Sequence, residues 1–323
     1  MRENNNRPMD RAMAAVFCAI LLVAVVIILL VAGHLMSKNA KHKDSGKAAE
    51  NTQIEESSET IGMETQETEV TETLAQEETE TEEPFIATPI PNVESLDTTS
   101  YGWGQGVQFD EYNRPISAVQ YQETYGKYNA NFIGENRPVI YLTFDEGYEY
   151  GCTERILDTL KEKGVHAVFF VTQPYAEDNP QLVQRMIDEG HTVGNHSVTH
   201  PSKGLPSQTM EQQQQEVMGC HQYVLDHFGY TMHLFRYPTG AFSEQSLAIV
   251  NNCNYKSVFW SFAYLDYDVN NQPDQTQSLQ KLVDRMHPGA IYLLHAESET
   301  NTAILGSFID QAKAAGYSLE AFD

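Results

Sequence analysis

The chain has 323 residues, of which 45 are acidic and 20 are basic, giving a formal net charge of −25 at pH 7. No stretch is strongly basic, which argues against a nucleic-acid partner. The 4 cysteines have no C-x-x-C spacing, so they indicate neither a disulfide framework nor a thiolate zinc site.

An uninterrupted apolar run without any charged side chain occupies residues 13–33. About 20 such residues span a bilayer as a helix, whereas the apolar part of a secretory signal usually has about 7–15. The run therefore predicts a transmembrane signal anchor, with a cleaved signal peptide as the alternative. Long domains cross a membrane largely regardless of flanking charge. We therefore expect a single-pass protein of the cell membrane, with residues 1–12 as a short cytoplasmic tail and the remainder extracellular.

Residues 34–97 are expected to form a disordered stalk. Between Glu50 and Glu83 the sequence is rich in Glu, contains no Lys or Arg, and has Ser and Thr in most of the gaps. Such a segment has too little apolar surface to offset the entropy of ordering, and the repulsion between its charges extends it. The acidic total of the chain therefore says little about its folded part.

Residues 98–323 are long enough for one sizeable domain. We expect 101–136 to be an irregular lead-in. Strand candidates follow at 139–144 (VIYLTF), 167–171 (AVFFV), 191–196 (HTVGNH), 233–238 (HLFRYP), 256–260 (KSVFW) and 290–295 (AIYLLH). Helical patterns lie between and after them, at 154–164, 180–190, 207–228, 243–252, 276–286 and 301–315, and the YSLEAF segment ends the chain.

Continuous apolar strands joined by helices indicate an α/β fold with a parallel sheet covered on its outside. About six or seven such units favour a distorted or incomplete (β/α) barrel over an open doubly wound sheet. No glycine-rich nucleotide motif follows the first strand, so an oxidoreductase on this scaffold would lack its cofactor signature.

Ionisable residues stand at the ends of five strand candidates: Asp145 and Glu146, then His196 and His200, then Arg236, then Asp266, then His295. In barrels of this type, catalytic groups gather at the carboxyl ends of the strands. Each residue alone is explained as well by a helix cap, a surface pair, an ion pair or a core histidine. Together they predict a metal-assisted hydrolase, because carboxylate and imidazole suit a divalent ion.

The same motifs resemble, in order and spacing, those of the NodB-homology polysaccharide deacetylases. They are TFDEG (143–147), HSVTH (196–200), RYPTG (236–240), the W-S-x-x-x-x-D of 260–266 and LLH (293–295), and the resemblance spans about residues 140–322. The Y-x-W-G at 101–104, TFDxGYExG at 143–151 and HPGAIYLLH at 287–295 look like the branch containing the delta-lactam-biosynthetic muramic acid de-N-acetylases, which act on peptidoglycan.

The resemblance implies that the chain, as a monomer, hydrolyses the N-acetyl group of an amino sugar in peptidoglycan or another N-acetylated glycan. It implies a divalent metal ion, with zinc as the first choice and magnesium, manganese or cobalt as alternatives. The implied metal ligands are Glu146, His196 and His200. The implied catalytic residues are Asp145 as general base, Arg236 orienting it, His295 as general acid, and Asp266 supporting the acid. The implied substrate-binding residues are Tyr237, Thr239, Tyr267 and Leu293.

Three features depart from the family pattern. Glu146 replaces the second aspartate, Thr239 replaces the second arginine of the muramic branch, and the D-x-x-D-W motif begins at Ala263 and ends at Tyr267. The metal and the choice between N-acetylmuramic acid and N-acetylglucosamine therefore stay open. The alternative function is a non-catalytic glycan-binding domain. The joint presence of Asp145, both histidines and His295 argues against it, because binding alone does not require that set.

Overall fold

The structure, a computed structural model, describes residues 85–323. The predicted anchor at 13–33 and the predicted stalk up to residue 84 lie outside these residues. Within 85–323, no helix is both long enough and apolar enough to cross a membrane.

Strands and helices alternate along most of the described chain. Within residues 85–323, the strands are β1 (Tyr101–Gly102), β2 (Ala130–Asn131), β3 (Val139–Glu146), β4 (Val168–Val171), β5 (Thr192–Asn195), β6 (Leu234–Phe235), β7 (Ala241–Phe242), β8 (Lys256–Val258), β9 (Phe262–Ala263), β10 (Ala290–His295) and β11 (Ser318–Glu320). The α-helices of the same part are α1 (Ile116–Tyr125), α2 (Thr153–Lys163), α3 (Gln173–Asp178), α4 (Pro180–Asp188), α5 (Met210–Phe228), α6 (Glu244–Asn252), α7 (Gln275–Asp284) and α8 (Glu299–Ala314).

One parallel sheet organises the domain, with its strands in the order β2, β8, β6, β5, β4, β3, β10, β9. The last strand, β11, pairs with the first residues of β3, and β4 pairs with the later residues of β3. Strands β1 and β7 form a separate antiparallel ribbon. In the described residues no strand pairing joins β2 to β9, so the barrel is not closed. The sheet is a curled half-barrel, and the predicted incomplete parallel architecture is confirmed.

The sheet separates two groups of buried apolar side chains. Inside the curl lie Val139, Tyr141, Val168, Phe170, Leu234, Val258, Ile291 and Phe322. The larger group includes the outward-facing residues of the strands and the inner faces of the helices. Helix α2 shows the pattern, because it buries Ile156, Leu157 and Leu160 and ends at Gly164 in the left-handed conformation.

Several elements differ from the prediction. Strand β3 continues through Asp145 and Glu146, so both carboxylates belong to the strand instead of following it. Helix α1 lies within the expected irregular lead-in at 101–136, and its weak apolar periodicity explains why the pattern did not reveal it. Helix α3 and strand β9 are short, and the sequence pattern gave no sign of either.

The end of the predicted stalk, residues 85–97, packs on the domain. The side chains of Asn252 and Asn254 bind the backbone of Ile90 and Ala87, and Ala87 is buried. Polar side chains of α6 and of the turn that follows it thus supply hydrogen bonds to the backbone of this segment, which has little apolar periodicity of its own. The boundary predicted between 97 and 98 therefore falls inside the packed part of the chain.

Gly289 forms a tight turn before β10. Its φ is +72°, and its backbone is bonded to Gly134 and Val139. A Cβ there would lie 2.6 Å from the oxygen of Gly134 and closer still to that of Glu135. Only glycine fits this position without moving the backbone.

We expect Gly289→Ala to lower the free energy of unfolding by about 2–5 kcal/mol, combining left-handed strain with backbone overlap. Gly316→Ala is the matched control, because Gly316 has a φ of +88° but open space around its Cβ position. The control should lose only the strain, about 1–2 kcal/mol. Urea unfolding measures both, and equal losses would refute the steric argument.

Candidate active site

The last two residues of β3 face opposite sides of the sheet, because successive side chains in a strand alternate. Asp145 continues the row of Val139 and Tyr141, which faces the interior of the curl. Glu146 instead continues the row of Phe144, which faces the helices. The two adjacent carboxylates therefore belong to different environments.

Arg236 holds Asp145 in place from the end of β6. Its guanidinium is fully buried, and its Nη1 donates to Asp145 Oδ1 over 3.1 Å. Nη2 donates to Thr143 Oγ1 at 2.8 Å and Nε donates to the Val258 carbonyl at 2.7 Å. The group also lies 4.4 Å from the centre of the Phe170 ring. A charge so fully bonded has one orientation, and it fixes the orientation of Asp145.

His196 and His200 lie beside this pair. The ring centres of the two imidazoles are 4.8 Å apart, and His196 Nε2 is 3.5 Å from Asp145 Oδ2. His196 Nδ1 donates to the carbonyl of Arg236 at 2.9 Å, which leaves Nε2 with its lone pair. Burial, reinforced by the charges of His200 and Arg236, lowers the pKa of His196 to about 4 despite the carboxylate of Asp145. The ring is therefore neutral at physiological pH.

Asp266 and His295 form a second pair at the end of β10. His295 Nδ1 donates to Asp266 Oδ1 at 2.7 Å, and the buried Asp266 also accepts from the His295 backbone N–H and from Asn301. Burial alone would lower the pKa of His295. The hydrogen bond and charge of Asp266, with Asp145 and Glu297 nearby, outweigh burial and raise that pKa to about 9. The ring is therefore an imidazolium at neutral pH.

Glu146 occupies a separate buried position under α2 and α3. Its Oε2 accepts from Thr153 Oγ1 at 3.4 Å, and its Oε1 has no hydrogen-bond partner among the described residues. Burial and the nearby charges of Glu297 and Glu149 raise the pKa of Glu146 well above its ordinary value. This placement explains why it does not accompany Asp145 toward the imidazoles.

Glu297 is a residue of the site that the sequence motifs did not reveal. Its Oε2 is buried without a hydrogen-bond partner in the described part of the chain. Burial raises the pKa of Glu297 to about 7, although the charge of His295 opposes this. Its position two residues after His295 was the available signal, but no motif included it.

The predicted metal ligands are only partly brought together. His196 and His200 adjoin, and the free Nε2 of His196, with Nδ1 bonded to a carbonyl, is the arrangement of a metal-binding histidine. Glu146 faces the other side of the sheet. Within residues 85–323, no three His, Cys, Asp or Glu side chains are grouped so as to hold a metal ion. The imidazole donors fit a metal, and the carboxylate of Glu146 does not join them.

The predicted substrate-binding residues divide into two groups. Thr239 and Tyr267 are exposed at the carboxyl end of the sheet. Tyr237 is buried and stacks on Phe259, so the prediction that its side chain binds substrate is wrong: the alternation that turns Arg236 inward sends Tyr237 into the helix-facing core. Leu293 shares a face of β10 with His295 but is almost completely buried.

Comparisons with known proteins show the family to which this chain is similar. A family profile described as polysaccharide deacetylase matches residues 133–258. The peptidoglycan-N-acetylmuramic acid deacetylase PdaA of Bacillus subtilis (strain 168) is 37% identical over 239 residues, covering 73% of this chain and 88% of that protein. The peptidoglycan-N-acetylglucosamine deacetylase PgdA of Listeria monocytogenes is 33% identical over 184 residues, 57% of this chain and 38% of that one. The solved structure of Bacillus subtilis PdaA, a family 4 carbohydrate esterase, has a TM-score of 0.66 and covers 70% of this chain and 96% of its own.

The buried Glu146 predicts a pH dependence of stability. Because its pKa is raised in the folded state, the folded protein binds more protons than the unfolded chain above pH 4.5. The free energy of unfolding should therefore fall as pH rises from 4.5 toward the folded pKa. In Glu146→Gln this fall should be smaller. Urea unfolding between pH 5 and 8 measures it, with the exposed Glu111→Gln as control. Parallel curves for wild type and Glu146→Gln would contradict the prediction.

Proposed function

The chain belongs to the polysaccharide deacetylase family, and from this premise we propose that it hydrolyses the N-acetyl group of an amino sugar in peptidoglycan and releases acetate. One observation carries the proposal. Asp145 and His295 are register partners on the neighbouring parallel strands β3 and β10, so both side chains face the same side at the same level. A base and an acid placed in this way can act on the two sides of one amide bond.

Asp145 is the proposed general base. It takes a proton from the water that attacks the acetyl carbonyl, while Arg236 bonds Oδ1 and leaves Oδ2 facing the imidazole side. His295 is the proposed general acid. As the C–N bond breaks, its ring gives a proton to the nitrogen, which leaves as the sugar amine. Asp266 keeps His295 charged and oriented for this step.

Thr239 is proposed to support the negative charge that develops on the acetyl oxygen. It is exposed and has a φ of +60°, a strained conformation for a residue with a side chain. Such strain is retained mainly where it serves a site. The backbone N–H of Thr239 is the donor we assign to the oxyanion.

A divalent metal ion is the proposed cofactor, and His196 and His200 would hold it. Imidazole ligands suit zinc, with other divalent ions as alternatives. When bound, such an ion polarises the acetyl carbonyl and lowers the pKa of water. Glu146 is not part of this proposal, because it faces the helices.

N-acetylmuramic acid is our first candidate for the deacetylated sugar, since the PdaA relative of that specificity is covered over 88% of its length. N-acetylglucosamine is the second, from the PgdA relative. We also propose that residues 13–33 anchor the protein with its N-terminus inside, so that the domain meets peptidoglycan outside the cell.

The function is tested by incubating the protein with defined peptidoglycan fragments and locating each lost acetyl group by mass spectrometry. Fragments incubated with the wild-type protein should lose acetyl groups from their muramic acid residues. Asp145→Asn should lower kcat by about two to four orders of magnitude, because asparagine cannot accept the proton. Asparagine still offers Arg236 an oxygen, so circular dichroism should show the fold retained. Fragments that stay fully acetylated with wild type would refute the proposal, and loss from glucosamine alone would reassign the sugar.

The protonation of His295 predicts a pH profile. Asp266→Asn removes the charge that raises the His295 pKa to about 9, so that pKa should fall toward or below 6.5. Because the acid form is required, the alkaline limb of kcat/KM should move to lower pH. Activity at pH 8 should drop by about thirtyfold, the ratio of protonated fractions. A variant with lower activity but an unmoved alkaline limb would show that Asp266 acts only in folding.

A further inference from the structure

Exposed apolar side chains are concentrated beside the active site. Nine large hydrophobic residues are exposed within residues 85–323, and four of them lie in two loops. Tyr148 and Tyr150 are in the loop after β3, while Leu265 and Tyr267 are in the loop after β9. Contiguous exposed apolar surface often marks a ligand-binding groove.

The loop after β3 is held so that its tyrosines point outward. Glu149 turns inward, where its carboxylate accepts from the N–H groups of Gly151 and Cys152 and from the hydroxyl of Tyr175. Its two sequence neighbours therefore face solvent, with Tyr148 73% and Tyr150 56% exposed. The hydrogen bonds of Glu149 thus hold the loop in a conformation that presents both rings to solvent.

The loop after β9 is built in the same way. Asp266 turns inward to bind His295 and Asn301, and its neighbours Leu265 and Tyr267 are 62% and 53% exposed. The Tyr267 ring lies edge-on to His295, with 5.4 Å between ring centres. In both loops an inward-turned carboxylate, half-buried for Glu149 and fully buried for Asp266, thus has an exposed apolar side chain on each of its sides.

The strand order puts these loops on either side of the catalytic acid. Strand β10 lies between β3 and β9, so the loops that follow β3 and β9 flank the end of β10, where His295 stands. If the amide of one sugar lies between Asp145 and His295, the next sugar on each side of it in the glycan strand would lie beside one pair of apolar residues.

We propose that Tyr148 and Tyr150 on one side, and Leu265 and Tyr267 on the other, are the walls of a cleft that binds a glycan strand on both sides of the deacetylated sugar. The proposal deepens the function proposed above and rests on it. Pyranose rings present C–H faces that pack on aromatic rings, and tyrosine supplies rigid contact area at low entropic cost. The preferred substrate is then a strand of several sugars, in preference to a disaccharide.

The test compares kcat/KM on peptidoglycan glycan fragments from disaccharide to octasaccharide. Tyr148→Ala combined with Tyr150→Ala should lose about tenfold on the octasaccharide, from two lost ring contacts, and much less on the disaccharide. The double Tyr→Phe variant should keep the length dependence of wild type. Tyr112→Ala is the matched control: Tyr112 is equally exposed, but its turn is bonded to Asp284 and Met286, just before the amino end of β10.

Losses that are equal at every length, or absent, would overturn the cleft. If wild type releases no acetate from any fragment, the proposed function fails, and co-sedimentation with insoluble peptidoglycan decides the cleft by itself. Binding by wild type and by the Phe variant, with weaker binding by the Ala variant, would support the cleft. Equal binding by all three would reject it.

Discussion

The buried contact between Arg236 and Asp145 is the constraint on which the architecture depends. Arg236 follows β6, yet its guanidinium reaches Thr143 and Asp145 of β3 and the Val258 carbonyl of β8. Strands β6 and β3 are three positions apart in the sheet, which in a flat sheet would separate them by about 14 Å. That is farther than one arginine side chain extends, so the sheet must curl. An unpaired guanidinium in this interior would cost several kcal/mol. The contact between Arg236 and Asp145 therefore stabilises both the curvature of the sheet and the geometry of the site.

The sequence predicted the parts of the fold that depend on long apolar periods. Strand β10 has the predicted bounds, because its continuous apolar run is buried on both faces of the sheet. Helix α2 differs by one residue at each end, because its apolar stripe faces one core and Gly164 ends it. It also predicted which strand ends carry Asp145, Arg236 and His295, since parallel strands deliver their carboxyl ends to one edge. Short elements were missed: a two-residue strand such as β9 has no period to detect.

The environment of each site residue was harder to predict than its presence. The apolar run ends at Phe144, so the pattern placed both carboxylates after the strand, where either could turn toward the imidazoles. Because β3 continues for two more residues, alternation sends Asp145 inward and Glu146 under the helices. The continuation of the strand thus decides which carboxylate faces the imidazoles. Glu297 shows the same limit, because its proximity to His295 arises from the turn after β10.

His196 and His295 show how the surroundings divide the work of the site. The two rings are chemically identical, yet burial with Arg236 and His200 lowers the pKa of His196 to about 4, while Asp266 raises that of His295 to about 9. Asp145 contributes to both values, so the difference comes from the other neighbours. At neutral pH the first imidazole keeps a free lone pair and the second keeps a proton to donate. Separated pKa values let two groups of one type take different roles; in the proposed mechanism, His196 helps to hold the metal ion and His295 is the acid. The groups that shift each pKa are fixed neighbours of its ring, such as the Arg236 carbonyl beside His196 and Asp266 beside His295.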